Sequence, residues 1–188
     1  MLVNTIVEGK VGQLWDVAKR LAMTLDATGI PYRVIGGFAI FVHVDRVDPI
    51  AARVTRDVDV AIERNDLDRI IKAIEPHGLK YRHTAGIDTL VEAERPRAST
   101  AVHLVFVNEK VRPEYVEPVP GFSDPVRTAQ GVLIAPVADL VRMKLTSFRL
   151  KDRVHVQDMD SVGLITPEIE ASLSEPLRAR LAEVRATE

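Results

Sequence analysis

The sequence predicts a mixed α/β (α+β) fold, a mixed sheet flanked by helices with a C-terminal helical extension, and three observations carry the prediction. Helical and strand-like patterns interleave over the first 135 residues. Residues 57–62 alternate cleanly between apolar and polar. After Pro136 only helical patterns remain. The expected organisation is an α/β core over 1–135 and a helical cap over 136–188 packed on it, one compact unit.

From residue 11 to 27 apolar side chains recur at helical spacing (Leu14, Ala18, Leu21, Leu25) with Lys19, Arg20 and Asp26 off the stripe. This predicts an amphipathic helix, ended by Gly29 and Pro31. Residues 32–35 predict a short strand running into Gly36–Gly37, and 38–44 a short apolar helix. The polar stretch 45–53, with Pro49, predicts a loop. Over 57–62, Val58, Val60 and Ile62 fall on one face and Asp57, Asp59 and Ala61 on the other. Asn65 is placed to cap a helix with the stripe Leu67, Ile70, Ile71 and Ile74, stopped by Gly78. Residues 79–83, 87–93 and 101–107 predict strands. Pro113, Pro118, Pro120 and Pro125 make 111–127 an irregular crossing. A short strand over 131–135 precedes helices over 137–150, 153–162, 167–173 and 176–185. No repeat or linker divides the chain.

Composition narrows the function. The 188 residues are 46% hydrophobic and 28% charged, the balance of a globular domain able to bury roughly 70% of its unfolded surface. The absence of cysteine excludes a disulfide scaffold, a thiol nucleophile and a Cys-based metal site. Lys and Arg number 25 against 27 Asp and Glu, a formal charge of −2, which argues against a globally basic nucleic-acid coat. No apolar run approaches the ~20 residues that cross a bilayer. Asn4 and Glu8 interrupt any signal-peptide layout. A cytoplasmic protein with no membrane partner is expected.

The chemistry concentrates at Asp57-Val58-Asp59. Residues two apart on a strand share a face, with Cβ atoms roughly 6–7 Å apart. Two carboxylates so placed repel unless a cation or water lies between them. Magnesium suits them, since it takes one or two carboxylates and completes its shell with water and substrate phosphates. Upstream, Gly36–Gly37 joins a strand to a helix. Glycine there admits close approach of a ligand, and the following helix start favours phosphate. Taken singly, the acidic pair also reads as a solvated strand face and the glycines as an ordinary turn; their order along the chain is what raises the signal.

That order, strand, Gly-Gly, short helix, loop, strand with two acids on one face, resembles the minimal motif of the nucleotidyltransferase fold at Gly36, Gly37, Asp57 and Asp59. More specifically, Gly36-Gly-Phe-Ala-Ile…His43…Arg53-Val-Thr55-Arg-Asp57-Val-Asp59 resembles the abortive-infection (AbiEii-like) type of nucleotidyltransferase. Leu140-Val-Arg-Met-Lys144…Arg149-Leu-Lys151-Asp152…Asp158 resembles that group's second motif. The resemblance spans roughly residues 30–160. It departs from the pattern at His155, where many members carry Asp, and at the third carboxylate. In the strand 101–107, His103 and Val105 stand where an acid is expected, and Glu109, Glu92 and Glu94 are the substitutes nearby.

The resemblance implies a magnesium-dependent transfer of a nucleoside monophosphate from a nucleoside triphosphate to a hydroxyl of an RNA 3′ end, a protein or a small molecule, with pyrophosphate leaving. It implies Asp57 and Asp59 as metal ligands and, with Lys144, as catalytic residues. It places Gly36, Gly37, Lys144, Lys151 and Asp152 on the nucleotide, and an antitoxin among the partners. The other reading is a degenerate member that binds without transferring, as a toxin-like or regulatory protein; a third is an unrelated α/β binding domain. Plainer readings stand beside the individual residues. Lys144 is also placed as a snorkelling surface lysine, and His43 as a structural histidine. Arg56 falls on the face opposite the acids. Arg142, Arg149, Lys151 and Arg153 read as a solvated basic face.

Overall fold

The computed structural model describes residues 2–94 and 101–187, with side chains from Gly9 onward. The chain opens with α1 (Leu2–Ala27), which starts nine residues before the expected helix. β1 (Tyr32–Ile35) leads directly into α2 (Gly36–Asp45), and β2 (Val58–Ile62) follows the loop. A 3-10 turn, Arg64–Asp66, enters α3 (Leu67–Ile74), so the helix begins after Asp66 rather than at an Asn65 cap. A second 3-10 turn ends at Gly78, whose left-handed φ of 70° reverses the chain. Then come β3 (Leu79–Thr84), β4 (Ile87–Glu92) and β5 (Val102–Phe106). The proline-rich crossing ends in the two-residue strands β6 (Val126–Arg127) and β7 (Leu133–Ile134). Four helices complete the chain: α4 (Val137–Ser147), α5 (Leu150–Ser161), α6 (Pro167–Ser172) and α7 (Glu175–Arg185).

The strands form one mixed sheet in the order β3-β4-β5-β2-β1-β7-β6. β2–β5 and β1–β7 are parallel; the remaining pairs are antiparallel. The register sets the site. Asp59 pairs with Ile35 on one side and His103 on the other, and His103 pairs with Thr89. The alternation at 57–62 holds: Val58, Val60 and Ile62 are buried with Val102, Leu104 and Phe106, whereas Asp59 and His103 stay partly open on the opposite face. Further along that face, Arg33, Ile35 and Ala61 line a crevice closed by Val119–Phe122, Asp139 and Met143.

The C-terminal helices pack onto α2. α5 comes so close to its start that a Cβ on Gly37 would lie 3.3 Å from Cε1 of His155. The expected continuous helix over 137–150 breaks at Phe148, which adopts φ 49°, ψ 28°. α5 then starts at Leu150, three residues earlier than expected. Neither glycine nor proline marks this corner. Tertiary contacts hold it: the Phe148 ring lies under Arg153 at 4.1 Å and Arg180 at 4.9 Å. Arg180 also donates to the Leu145 and Thr146 carbonyls, 2.7 and 2.8 Å away, satisfying the end of α4.

Candidate active site

Asp59 sits mid-sheet and Gly36 opens α2 beside it. An added Cβ on Gly36 would lie 2.0 Å from Asp59 Oδ2, and Gly36 has φ +69°. Only glycine satisfies both the backbone and the space. Gly37 is as constrained: its Cβ would meet Thr55 Oγ1 at 2.8 Å. The two motifs the sequence paired therefore touch. Both glycines are buried by that contact. Asp59 stands on the Cβ side of Gly36, and Thr55 and His155 on that of Gly37.

Asp57 lies just before β2 and is partly exposed. His103, directly across from Asp59 on β5, places Nδ1 3.0 Å from Asp59 Oδ1. A carboxylate only accepts, so Nδ1 carries the hydrogen. The Asp59 hydrogen bond raises the His103 pKa against the opposing effect of burial, and the charges of Asp59 and Asp57 add to the rise. A histidine thus occupies the place expected for a third acid. The substitutes considered from sequence are engaged elsewhere or project outward. Glu109 forms a two-point pair with Arg64 at 2.6 Å, past the end of β5. Glu92 faces Arg20 of α1 at 3.4 Å, and Glu94 is exposed. Among the described residues, no group of three or more His, Asp or Glu could hold a metal by itself.

The donor set fits magnesium in one form. Two hard carboxylates, one with an oxygen already engaged by His103, suit a cation whose shell is completed by water and substrate phosphates. They do not make an all-protein cage.

The second motif folds differently from expectation. Lys144 is 8% exposed and Asp152 fully buried. Lys144 Nζ donates to Asp152 Oδ1 at 3.0 Å. Ser147 Oγ, Arg149 Nε and the Arg149 backbone N–H donate to Oδ2 at 2.8, 2.7 and 3.2 Å. Burial alone would raise the Asp152 carboxyl; the hydrogen bonds from Arg149, Lys144 and Ser147 hold it well below the usual carboxylate range. Lys144 and Asp152, expected as nucleotide contacts, are bonded to each other here. Asp152 has no surface to offer, and Lys144 is committed to it. The corner at Phe148 also takes Lys151 off the Lys144 face. Lys151 is exposed, and its charge reaches both His103 and His155.

His155 carries a buried Nδ1 without a hydrogen-bond partner among the described residues. Burial, reinforced by the Lys144 charge, lowers its pKa to about 4. Arg53 closes this side by donating to Asp158 at 2.7 Å. His43, buried with Nε2 2.8 Å from the Ala135 carbonyl, is structural. Sequence reasoning placed Arg149 in the second motif and on a solvated basic face but did not pair it with Asp152. Its signal was the Arg-x-x-Asp spacing to Asp152, which puts the two within one helical turn.

No family model and no curated protein matches the chain. Solved structures do. An antigenic nucleotidyltransferase-like protein from Paracoccidioides brasiliensis is 19% identical with a TM-score of 0.62, covering 94% of this chain and 89% of its own. The antibiotic-resistance factor ANT(2'')-Ia, in a solution structure, is 13% identical with a TM-score of 0.57, covering 92% and 93%. The same factor in complex with adenylyl-2''-tobramycin is 13% identical with a TM-score of 0.51, covering 89% and 94%. The fold is that of the nucleotidyltransferases.

Proposed function

We propose that this chain is a nucleotidyltransferase that moves a nucleoside monophosphate from a nucleoside triphosphate to a hydroxyl acceptor. The observation that carries the reading is the contact of Gly36 with Asp59, which brings the glycine turn and the acidic strand of the fold to one point. In the reaction the acceptor oxygen bonds to the α-phosphorus, the bond from that phosphorus to the bridging oxygen breaks, pyrophosphate departs, and the hydroxyl proton is released. Magnesium held by Asp57 and Asp59 would supply charge neutralisation at the phosphates. The protein's remaining share is positioning and fixed charge. Lys151, exposed and with its charge reaching His103, would meet the phosphates. The abortive-infection resemblance favours an RNA 3′ end as acceptor and an antitoxin as partner.

The second reading, a binding protein that has lost transfer, is favoured by one observation: His103 takes the position expected for an acid and engages Asp59.

Both readings meet one experiment. The protein is incubated with each α-labelled nucleoside triphosphate, magnesium and total RNA or lysate. Label appearing on an acceptor, and missing with Asp59→Asn, supports transfer. Magnesium-dependent binding without label supports the degenerate reading, and neither binding nor label removes both.

A further inference from the structure

Arg149 is a half-exposed cation held by a fully buried carboxylate. One edge of its guanidinium is fixed by Asp152: Nε donates to Oδ2 at 2.7 Å and Nη2 reaches Oδ1 at 3.4 Å. Its backbone N–H donates to the same carboxylate. Asp152 cannot move, being fully buried and bonded to Lys144 and Ser147. The preceding residue, Phe148, is held left-handed at φ 49°. Such a conformation is strained for a residue with a side chain and persists only where the surroundings over-determine it. Here Arg153 and Arg180 clamp the ring from α5 and α7. Three helices are thus arranged around one corner, and that corner presents Arg149.

The guanidinium is 49% exposed, and Nη1 has no hydrogen-bond partner among the described residues. Its charge interacts with Asp59 across the cleft and with Tyr115. An arginine with one edge locked on a carboxylate and the other free is arranged to take an anion in a fork. The neighbouring Lys144 cannot do so, for its ammonium is buried on Asp152.

We propose that Arg149 takes the β- and γ-phosphates of a bound nucleoside triphosphate, with Asp152, Lys144 and the Phe148 corner acting as positioning residues. This rests on the nucleotidyltransferase reading and adds to it a residue outside the glycine and Asp-x-Asp motifs. In this arrangement the lysine is structural and the arginine faces the ligand, where the resemblance implied Lys144 on the nucleotide.

The test is equilibrium binding of each nucleoside triphosphate and its monophosphate, with magnesium, to the full chain. Arg149→Gln should weaken triphosphate binding about ten-fold or more and monophosphate binding less than about two-fold. Arg149→Lys, which keeps the charge but loses the fork, should fall between. It also serves as the second variant should Arg149→Gln fail to fold. Arg142→Gln, which removes only a bond to the Ser172 carbonyl, should match wild type. Equal weakening of tri- and monophosphate, or no weakening, overturns the role of Arg149 while leaving the nucleotide site intact. Wild-type protein that binds no nucleotide overturns the nucleotidyltransferase reading and this inference together.

Discussion

A methyl group placed on Gly36 would lie 2.0 Å from Oδ2 of Asp59 and 2.9 Å from its Cγ. Gly36→Ala therefore strains the backbone at φ +69° and pushes the carboxylate aside. The expected loss of stability is about 1–3 kcal/mol, with loss of magnesium-dependent nucleotide binding. Gly29 is the control: it has φ +63° but nothing within 4 Å of an added Cβ. Thermal melts should show the backbone strain in both alanine variants with a larger fall in Gly36→Ala, and only Gly36→Ala should lose nucleotide.

Breaking the Lys144–Asp152 pair should cost far more than any surface pair. Asp152→Asn leaves the Lys144 ammonium buried beside a neutral amide, at about 3–5 kcal/mol. A denaturant titration checks this. The double variant Lys144→Met with Asp152→Leu should lose less than the sum of the two single changes, because neither charge is then stranded.

Two histidines should give the melting temperature opposite pH dependences. His155 has its pKa lowered to about 4 from an ordinary 6.5, so between those values the unfolded chain binds a proton that the folded chain refuses. Its stabilising contribution is full above pH 6.5 and is lost as the pH falls to about 4, a change of about 3 kcal/mol. His103 is raised by Asp59. Its contribution is full below pH 6.5 and is lost as the pH rises through the folded-state value. Melts across pH 4–8 should lose the acidic slope in His155→Gln and the near-neutral one in His103→Asn.

Placing an acid at position 103 tests whether that position faces the metal. His103→Asp removes the bond to Asp59 and sets a third carboxylate beside Asp57 and Asp59, which repel one another without a cation. Its melting temperature should fall without magnesium and recover on adding it, by several degrees more than wild type does. Equal responses in the two proteins would show that position 103 does not face the metal.

The sequence made the acidic strand legible because alternation is a local property: Val58, Val60 and Ile62 had to face inward, which turned Asp59 outward. The Gly36 turn was legible for the same reason. What stayed hidden depends on contacts between distant segments. The Asp59–His103 pair joins residues 44 apart through a parallel register that no local pattern specifies. The α4–α5 corner has no glycine or proline, because the left-handed Phe148 is held by Arg180 from the last helix. The helix expected over 137–150 breaks at that corner, which separates Lys144 on α4 from Lys151 on α5. Asp152, eight residues beyond Lys144, is brought back onto it instead.

Magnesium-dependent binding of nucleoside triphosphates to wild type and to Asp59→Asn, measured by calorimetry alongside a thermal melt, tests the central claim most directly. The account predicts that wild type binds only with magnesium. It also predicts that Asp59→Asn, still folded and with a melting temperature lowered little, does not bind. A folded Asp59→Asn protein that binds nucleotide as tightly as wild type, with or without magnesium, would contradict the placement of the site at Gly36, Asp57 and Asp59.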